Sequence, residues 1–270
     1  ITIALLSSLA LLACGQEDTQ QTVPRESSQL SVETSAPDES AASAAIQQNI
    51  DWARTGNASA QYNLGTRYFL GEGLAQDFAK AVEWYTLAAE QGHEMAQFNL
   101  GTLYYLGKGT VKDAEKASEW FTRAAEQGNE RAQYSLGMMY KKGDGVDMDY
   151  AKAEEWLLKA AEQGHAEAQL ALGGLYGQLQ DGSKGDYTKA RPWIEKAAFQ
   201  GEPNAQFALG MMYIYGTGGE RDSVQALKWL DLGLKNGAKD PNNVRAELIA
   251  TMTPARVEQA EKLAADFEPQ

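Results

Sequence analysis

The side chains with the greatest reactive potential in this 270-residue chain are two histidines, one cysteine and a cluster of aspartates. His93 and His165 would be its general bases or metal ligands. Each directly follows a glycine, in a slot that Asn57 and Asn129 fill elsewhere, so the expected role is to open a helix. Two histidines two repeats apart cannot share a metal, and no Cys/His group has ligand spacing. Asp144, Asp147 and Asp149 gather near one turn without the order of a calcium loop. Gly107-Lys108-Gly109-Thr110 lacks the Gly-Lys-Ser/Thr of a phosphate loop and follows no strand. With no Ser-x-x-Lys and no Lys-Thr-Gly, serine acylation has no residues to run on. Cys14 is the only thiol, so no internal disulfide can form. The expectation is a non-enzymatic protein with no catalytic residue, metal or cofactor.

What the sequence does contain is a period. Gly92, Gly128, Gly164, Gly201 and Gly237 are spaced by 36, 36, 37 and 36 residues. Gly65, Gly101, Gly137, Gly173 and Gly210 keep nearly the same rhythm, as do Trp84, Trp120, Trp156, Trp193 and Trp229. Such a period marks stacked supersecondary units. Within the first unit, Ala60, Leu64 and Tyr68 make one apolar stripe of a helix over 58–70. Gly65 inside that helix costs about 1 kcal/mol relative to alanine. Its recurrence predicts close helix–helix approach. Gly71-Glu72-Gly73 is a turn signal, and Asp77 is a helix N-cap, as are Asp113, Asp149, Asp186 and Asp222. Ala81, Trp84 and Ala88 are the expected buried stripe of the second helix, and Gly92 ends it in the left-handed region.

Each unit is thus an antiparallel helical hairpin that must stack on its neighbours to be stable. The fold class is all-α: a right-handed α/α solenoid of five 36-residue hairpins, with an N-terminal half-repeat and a C-terminal capping helix. The divisions are 57–92, 93–128, 129–164, 165–201 and 202–237, flanked by a half-repeat helix at 40–56 and a cap at 238–270. Thr253-Pro254 predicts an N-cap with proline at N1, opening a helix whose apolar members are Val257, Ala260, Leu263, Ala264 and Phe267.

The pattern A-Q-x-x-L-G-x-x-Y, then G-x-G, then D-x-x-x-A-x-x-W-x-x-x-A-A-x-x-G resembles the Sel-one-like repeat, a relative of the tetratricopeptide repeat. It is carried by Ala60-Gln61, Ala96-Gln97, Ala132-Gln133, Ala168-Gln169 and Ala205-Gln206 with their following Leu-Gly pairs and tyrosines. The fourth unit departs by an extra residue within 180–185, and the fifth has Gly233-Leu234 in place of paired alanines. The resemblance implies the right-handed superhelix and a role as a protein-binding adaptor. Some relatives are described as binding penicillins, but this chain has no Ser-x-x-Lys and no Lys-Thr-Gly to carry that chemistry.

Residues 1–13 are similar to a bacterial lipoprotein signal, an apolar run leading into Leu11-Leu12-Ala13-Cys14, with Cys14 the lipidation site. By the same likeness, Gly15 rather than aspartate favours the outer membrane, which implies a protein held on its periplasmic side. Residues 14–39 are polar and proline-containing, a disordered tether. A tether of that length reaches roughly 25–30 Å. The net charge of −13 and pI near 4.7 argue against nucleic acid and against anionic lipid headgroups, leaving the lipid anchor as the membrane contact.

By tetratricopeptide analogy a second stripe on each first helix faces a concave groove. The residues there are Tyr62, Thr66 and Phe69; Phe98, Thr102 and Tyr105; Tyr134, Met138 and Lys141; Leu170, Gly174 and Gly177; and Phe207, Met211 and Ile214. Aromatics and methionines on one inner face suit a protein or peptide partner. Phe69, Tyr105 and Ile214, near helix ends, are expected to be the more exposed. The leading expectation is a periplasmic scaffold. The alternatives are an immunity protein neutralising a secreted toxin such as a lipase, as certain lipoproteins with these repeats do, and a peptidoglycan-fragment binder or hydrolase.

Overall fold

The computed structural model describes residues 39–178 and 185–269, excluding the side chains of 39–43. The signal, Cys14, the tether up to residue 38 and the insertion at 180–184 lie outside the described residues. No strand occurs among the described residues. The helices are α1 (Glu39–Arg54), α2 (Ala58–Leu70), α3 (Phe78–Glu90), α4 (Glu94–Leu106), α5 (Ala114–Glu126), α6 (Glu130–Lys142) and α7 (Tyr150–Glu162). They continue as α8 (Ala166–Gly177), α9 (Tyr187–Phe199), α10 (Pro203–Tyr215), α11 (Ser223–Lys235), α12 (Val244–Ala250) and α13 (Pro254–Ala265). Two compact units divide the described residues, one ending at Ala153 and one beginning at Glu154, with the division inside α7. In the first, each helix from α1 to α6 packs on the next; in the second, α8 to α11 do so, and α11 then packs on α12 and α13.

Side chains fix where each helix starts. The first helix of every hairpin opens on a residue whose side chain accepts from the third amide beyond it. Asn57 accepts from Ala60 N–H and Asn129 from Ala132 N–H, both at 2.8 Å. His93 and His165 do the same through Nδ1, from Ala96 and Ala168 N–H at 3.3 Å, and Glu202 accepts from Ala205 N–H. The five expected aspartate caps are all present. Asp77 and Asp113 accept from the amides of Lys80 and Lys116 at 3.0 Å, and those bonds are the main cause holding both carboxyls below their usual pKa. A cap of this kind contributes about 1 kcal/mol.

Ala81 and Ala88 of the second helix are buried as expected, but the large residue between them is Tyr85, one position beyond the expected tryptophan. Tyr85, Phe121, Leu157, Ile194 and Leu230 are buried to 5% exposure or less, whereas Trp84, Trp120, Trp156 and Trp193 are only half-buried. Of the tryptophans, Trp229 alone is fully buried, against Phe199 and Phe267. Indole rings left at the edge are roofed by cations one turn on: Arg123 stands 4.5 Å over Trp120, Lys159 4.0 Å over Trp156 and Lys196 4.1 Å over Trp193.

The helical glycines sit under that stripe. A Cβ at Gly101 would meet the Phe121 ring at 2.9 Å and the Ala117 carbonyl at 3.2 Å, so the close approach expected from the recurrence is real. The turn glycine Gly109, with φ +72°, is bounded on its other side by the Phe78 carbonyl, where no side chain fits.

A polar spine runs beside the apolar one. The Nε2 groups of Gln61, Gln97, Gln133, Gln169 and Gln206 donate to the carbonyls of Ala53, Ala89, Ala125, Ala161 and Ala198, at 3.0–3.2 Å. Those carbonyls belong to last helical turns, where each also accepts from the N–H of the following glycine at 3.0–3.1 Å and has a second lone pair to offer. The glutamine of the A-Q motif therefore closes the preceding helix.

At the C-terminus the single expected cap is two helices. Thr253 stands at the N-cap of α13 with Pro254 at N1, but its hydroxyl makes no capping bond. Ala260 is fully buried with Val224 and Leu227, and Val257 and Leu263 pack around them. The short α12 was not foreseen, and its Val244 and Leu248 cover Phe207, Met211 and Leu230.

Candidate functional site: an apolar cavity between alternate helices

Two of the five groove triplets converge on one cavity. Phe98, Thr102, Tyr105 and Leu106 of α4 face Tyr134, Ser135, Met138, Met139 and Lys142 of α6, with Phe121 of α5 beneath. The cavity measures about 310 Å³, enough for one large side chain. Phe121 and Met139 are its buried members, while Leu106 and Lys142 are exposed at the surface. The Phe98 and Phe121 rings lie 5.8 Å apart and tilted by 40°.

Its hydroxyls are spent locally. Thr102 donates to the Phe98 carbonyl at 3.0 Å and Ser135 to the Arg131 carbonyl at 2.8 Å, which turns the walls apolar. Burial first, then the hydrogen-bonded Asp144 carboxylate, pushes the Tyr105 phenol above its ordinary pKa. Neither hydroxyl of Thr102 or Ser135 is bonded to a general base, so the arrangement favours contact over chemistry.

The remaining candidates fall elsewhere. Tyr62 stacks on His93 with centroids 4.6 Å apart, Thr66 shares a 3.1 Å hydrogen bond with the Tyr85 hydroxyl, and Phe69 meets Phe78 edge-on at 5.4 Å. Leu170 packs against the core of the C-terminal unit, and Gly174 and Gly177 are half-buried. Phe69, Tyr105 and Ile214 are all half-buried. Three candidates need correction. Phe207 and Met211, each 4% exposed, are core residues because α12 lies over them. Lys141 is buried, and the cation that reaches the cavity is its neighbour Lys142. Sequence reasoning also missed Leu106, Phe121, Ser135 and Met139. Phe121 was findable, since its slot is apolar in all five repeats. Among the described residues no group of His, Cys, Asp and Glu is placed to hold a metal, and no helix is long and apolar enough to cross a membrane.

The Sel1 repeat family matches residues 58–93, 94–129, 130–165, 166–202 and 203–237. No curated protein matches the chain. Among solved structures, a Sel1 repeat protein from Oxalobacter formigenes is 31% identical with a TM-score of 0.65, over 79% of this chain and 89% of that one. A protective antigen present in uropathogenic Escherichia coli strains, displaying an SLR fold, is 32% identical with a TM-score of 0.53, over 83% of this chain and 56% of that one. An immunity protein from Pseudomonas aeruginosa, Pa5087, is 21% identical with a TM-score of 0.44, over 78% and 82%. The five consecutive matches span the helical hairpins from α2 to α11, and this chain belongs to the Sel1 repeat family.

Proposed function

We propose that this protein is a non-catalytic scaffold that binds a segment of a partner protein at the α4–α6 face, held by a lipid on Cys14 at the periplasmic side of the outer membrane. The α4–α6 cavity carries the binding part of this reading: it is apolar, open to the surface and framed by aromatics whose rigid rings give contact area at little entropic cost. Sel1 repeats generally mediate protein–protein interaction, which agrees with an apolar site whose hydroxyls are internally satisfied.

A photo-crosslinking residue placed at Tyr105 of the full-length chain in cells should give a discrete adduct. The same residue at Val111, 83% exposed and outside the cavity, should not. Phe98→Ala with Met138→Ala should abolish the adduct; an adduct of undiminished yield would place the partner elsewhere. For the anchor, Cys14→Ser should end incorporation of labelled palmitate and release the protein from the membrane fraction. Labelling that survives the substitution would remove that part of the reading.

A further inference from the structure

Lysines near the cavity differ from those that start the second helices. Lys80, Lys116 and Lys152 each reach the aspartate that caps their own helix, at 3.4, 3.3 and 3.9 Å. Lys142 on the cavity lining and Lys112, 5.5 Å over the Tyr105 ring, have no carboxylate within ion-pair distance among the described residues. Asp144, whose carboxylate accepts from the Tyr105 hydroxyl, keeps its charge, and the two lysines outnumber it. A chain of net charge −13 thus presents two lysines outside any described ion pair beside an apolar cavity, a local excess of positive charge. Distant carboxylates are screened beyond about 8–10 Å in physiological salt, so the local sign decides what approaches.

On the reading of this cavity as a docking site, we infer that its partner is an extended acidic segment: one large apolar side chain enters between Phe98, Tyr134 and Met138, and a flanking carboxylate pairs with Lys142. The cavity holds a side chain but not a folded element, so the partner's backbone runs across the mouth between α4 and α6. Apolar contact supplies the affinity and the lysines supply the selectivity.

Seven methionines provide the reporter, because Met138 and Met139 line the cavity while Met95, Met148, Met211, Met212 and Met252 do not. The full chain, labelled at methionine methyls, would be titrated with blocked seven-residue Gly/Ser peptides carrying a central leucine. Flanking residues would be glutamate, glutamine or lysine in three peptides, and a fourth would have alanine in place of leucine between glutamates. The glutamate–leucine peptide should move the Met138 and Met139 methyls selectively. It should bind about two- to five-fold more tightly than the glutamine peptide, as exposed ion pairs allow. Lysine flanks or the alanine centre should remove the response. In Lys142→Ala the leucine peptides should still bind, with the glutamate advantage gone. Equal binding of glutamate and glutamine peptides overturns the acidic-partner inference and leaves the docking site standing. No movement of Met138 or Met139 with any peptide overturns the docking reading itself.

Discussion

Gln91 donates through its side-chain amide to the side-chain oxygen of Gln61 at 2.6 Å, across 30 residues of chain. Gln61 in turn donates to the Ala53 carbonyl. One side chain thereby ties the last turn of α1, the first turn of α2 and the end of α3. Gln127 and Gln97 repeat the pair at 2.6 Å, Gln200 and Gln169 at 2.8 Å, and Asn236 and Gln206 at 2.9 Å. This relay gives a stack of small cores a directional register that alanine packing alone lacks.

The relay should be unequal in its parts. Gln97→Ala removes a buried bond to the Ala89 carbonyl, which keeps the Gly92 N–H at 3.0 Å, and also takes away the acceptor of the Gln127 amide, so it should cost about 1–3 kcal/mol. Gln91→Ala removes two neutral bonds at an exposed position, to Gln61 and to the Leu87 carbonyl, and should cost about 1 kcal/mol. Urea unfolding of the two variants should rank them in that order.

Alanine at two helical glycines should act with opposite sign. At Gly101 the new methyl collides with the Phe121 ring, and overpacking of about 1–3 kcal/mol outweighs the gain in helix propensity. At Gly174 nothing stands within 4 Å, so the propensity gain of about 1 kcal/mol should appear. Thermal melts of both variants decide this.

Two residues of one capping slot should respond to pH in opposite directions. Burial lowers the His93 pKa, so the unfolded chain takes up the proton first as pH falls. Its contribution is full above about pH 6.5 and declines from there toward the lower folded-state value. Glu202 has its pKa raised by burial, so the fold gives up that proton last. Its contribution is greatest below about pH 4.3 and is lost as pH rises through the folded value. His93→Asn should flatten the acid-side loss of Tm, and Glu202→Asn should raise Tm near pH 7 with no gain near pH 4.

Phe207 and Phe98, equivalent in the repeat, should separate stability from binding. Phe207→Ala opens the core beneath α12 and should cost about 3–5 kcal/mol while leaving the Tyr105 crosslink intact in folded protein. Phe98→Ala, at a half-buried cavity wall, should weaken crosslinking at a smaller cost in stability.

Helix limits and caps were legible because they depend on residues acting within one turn: Asp77 accepts from Lys80 N–H, and Gly71 takes a left-handed φ of 77°. Gly101 was legible through recurrence, since a repeated local cost implies a tertiary reason. The alanines of the second-helix stripe were legible, but its large member lay one residue on, because the large, regular tryptophans drew attention from Leu157, Ile194 and Leu230 beside them. Groove residues were only partly legible. The same register that leaves Phe98 half-buried buries Phe207, and the difference lies in α12, a seven-residue helix opened by Asp240 from three residues before the N-cap. The glutamine relay was visible as a motif but not as a network, because its partners are set by stacking.

The ends of α12 and α13 bear on how such an array can change over generations. Together they occupy the flank of α11 on which a further hairpin would have to seat. A hairpin duplicated beyond α13 would therefore find that flank already taken. Lengthening must happen by insertion upstream, where every newcomer finds a ready mate on either side.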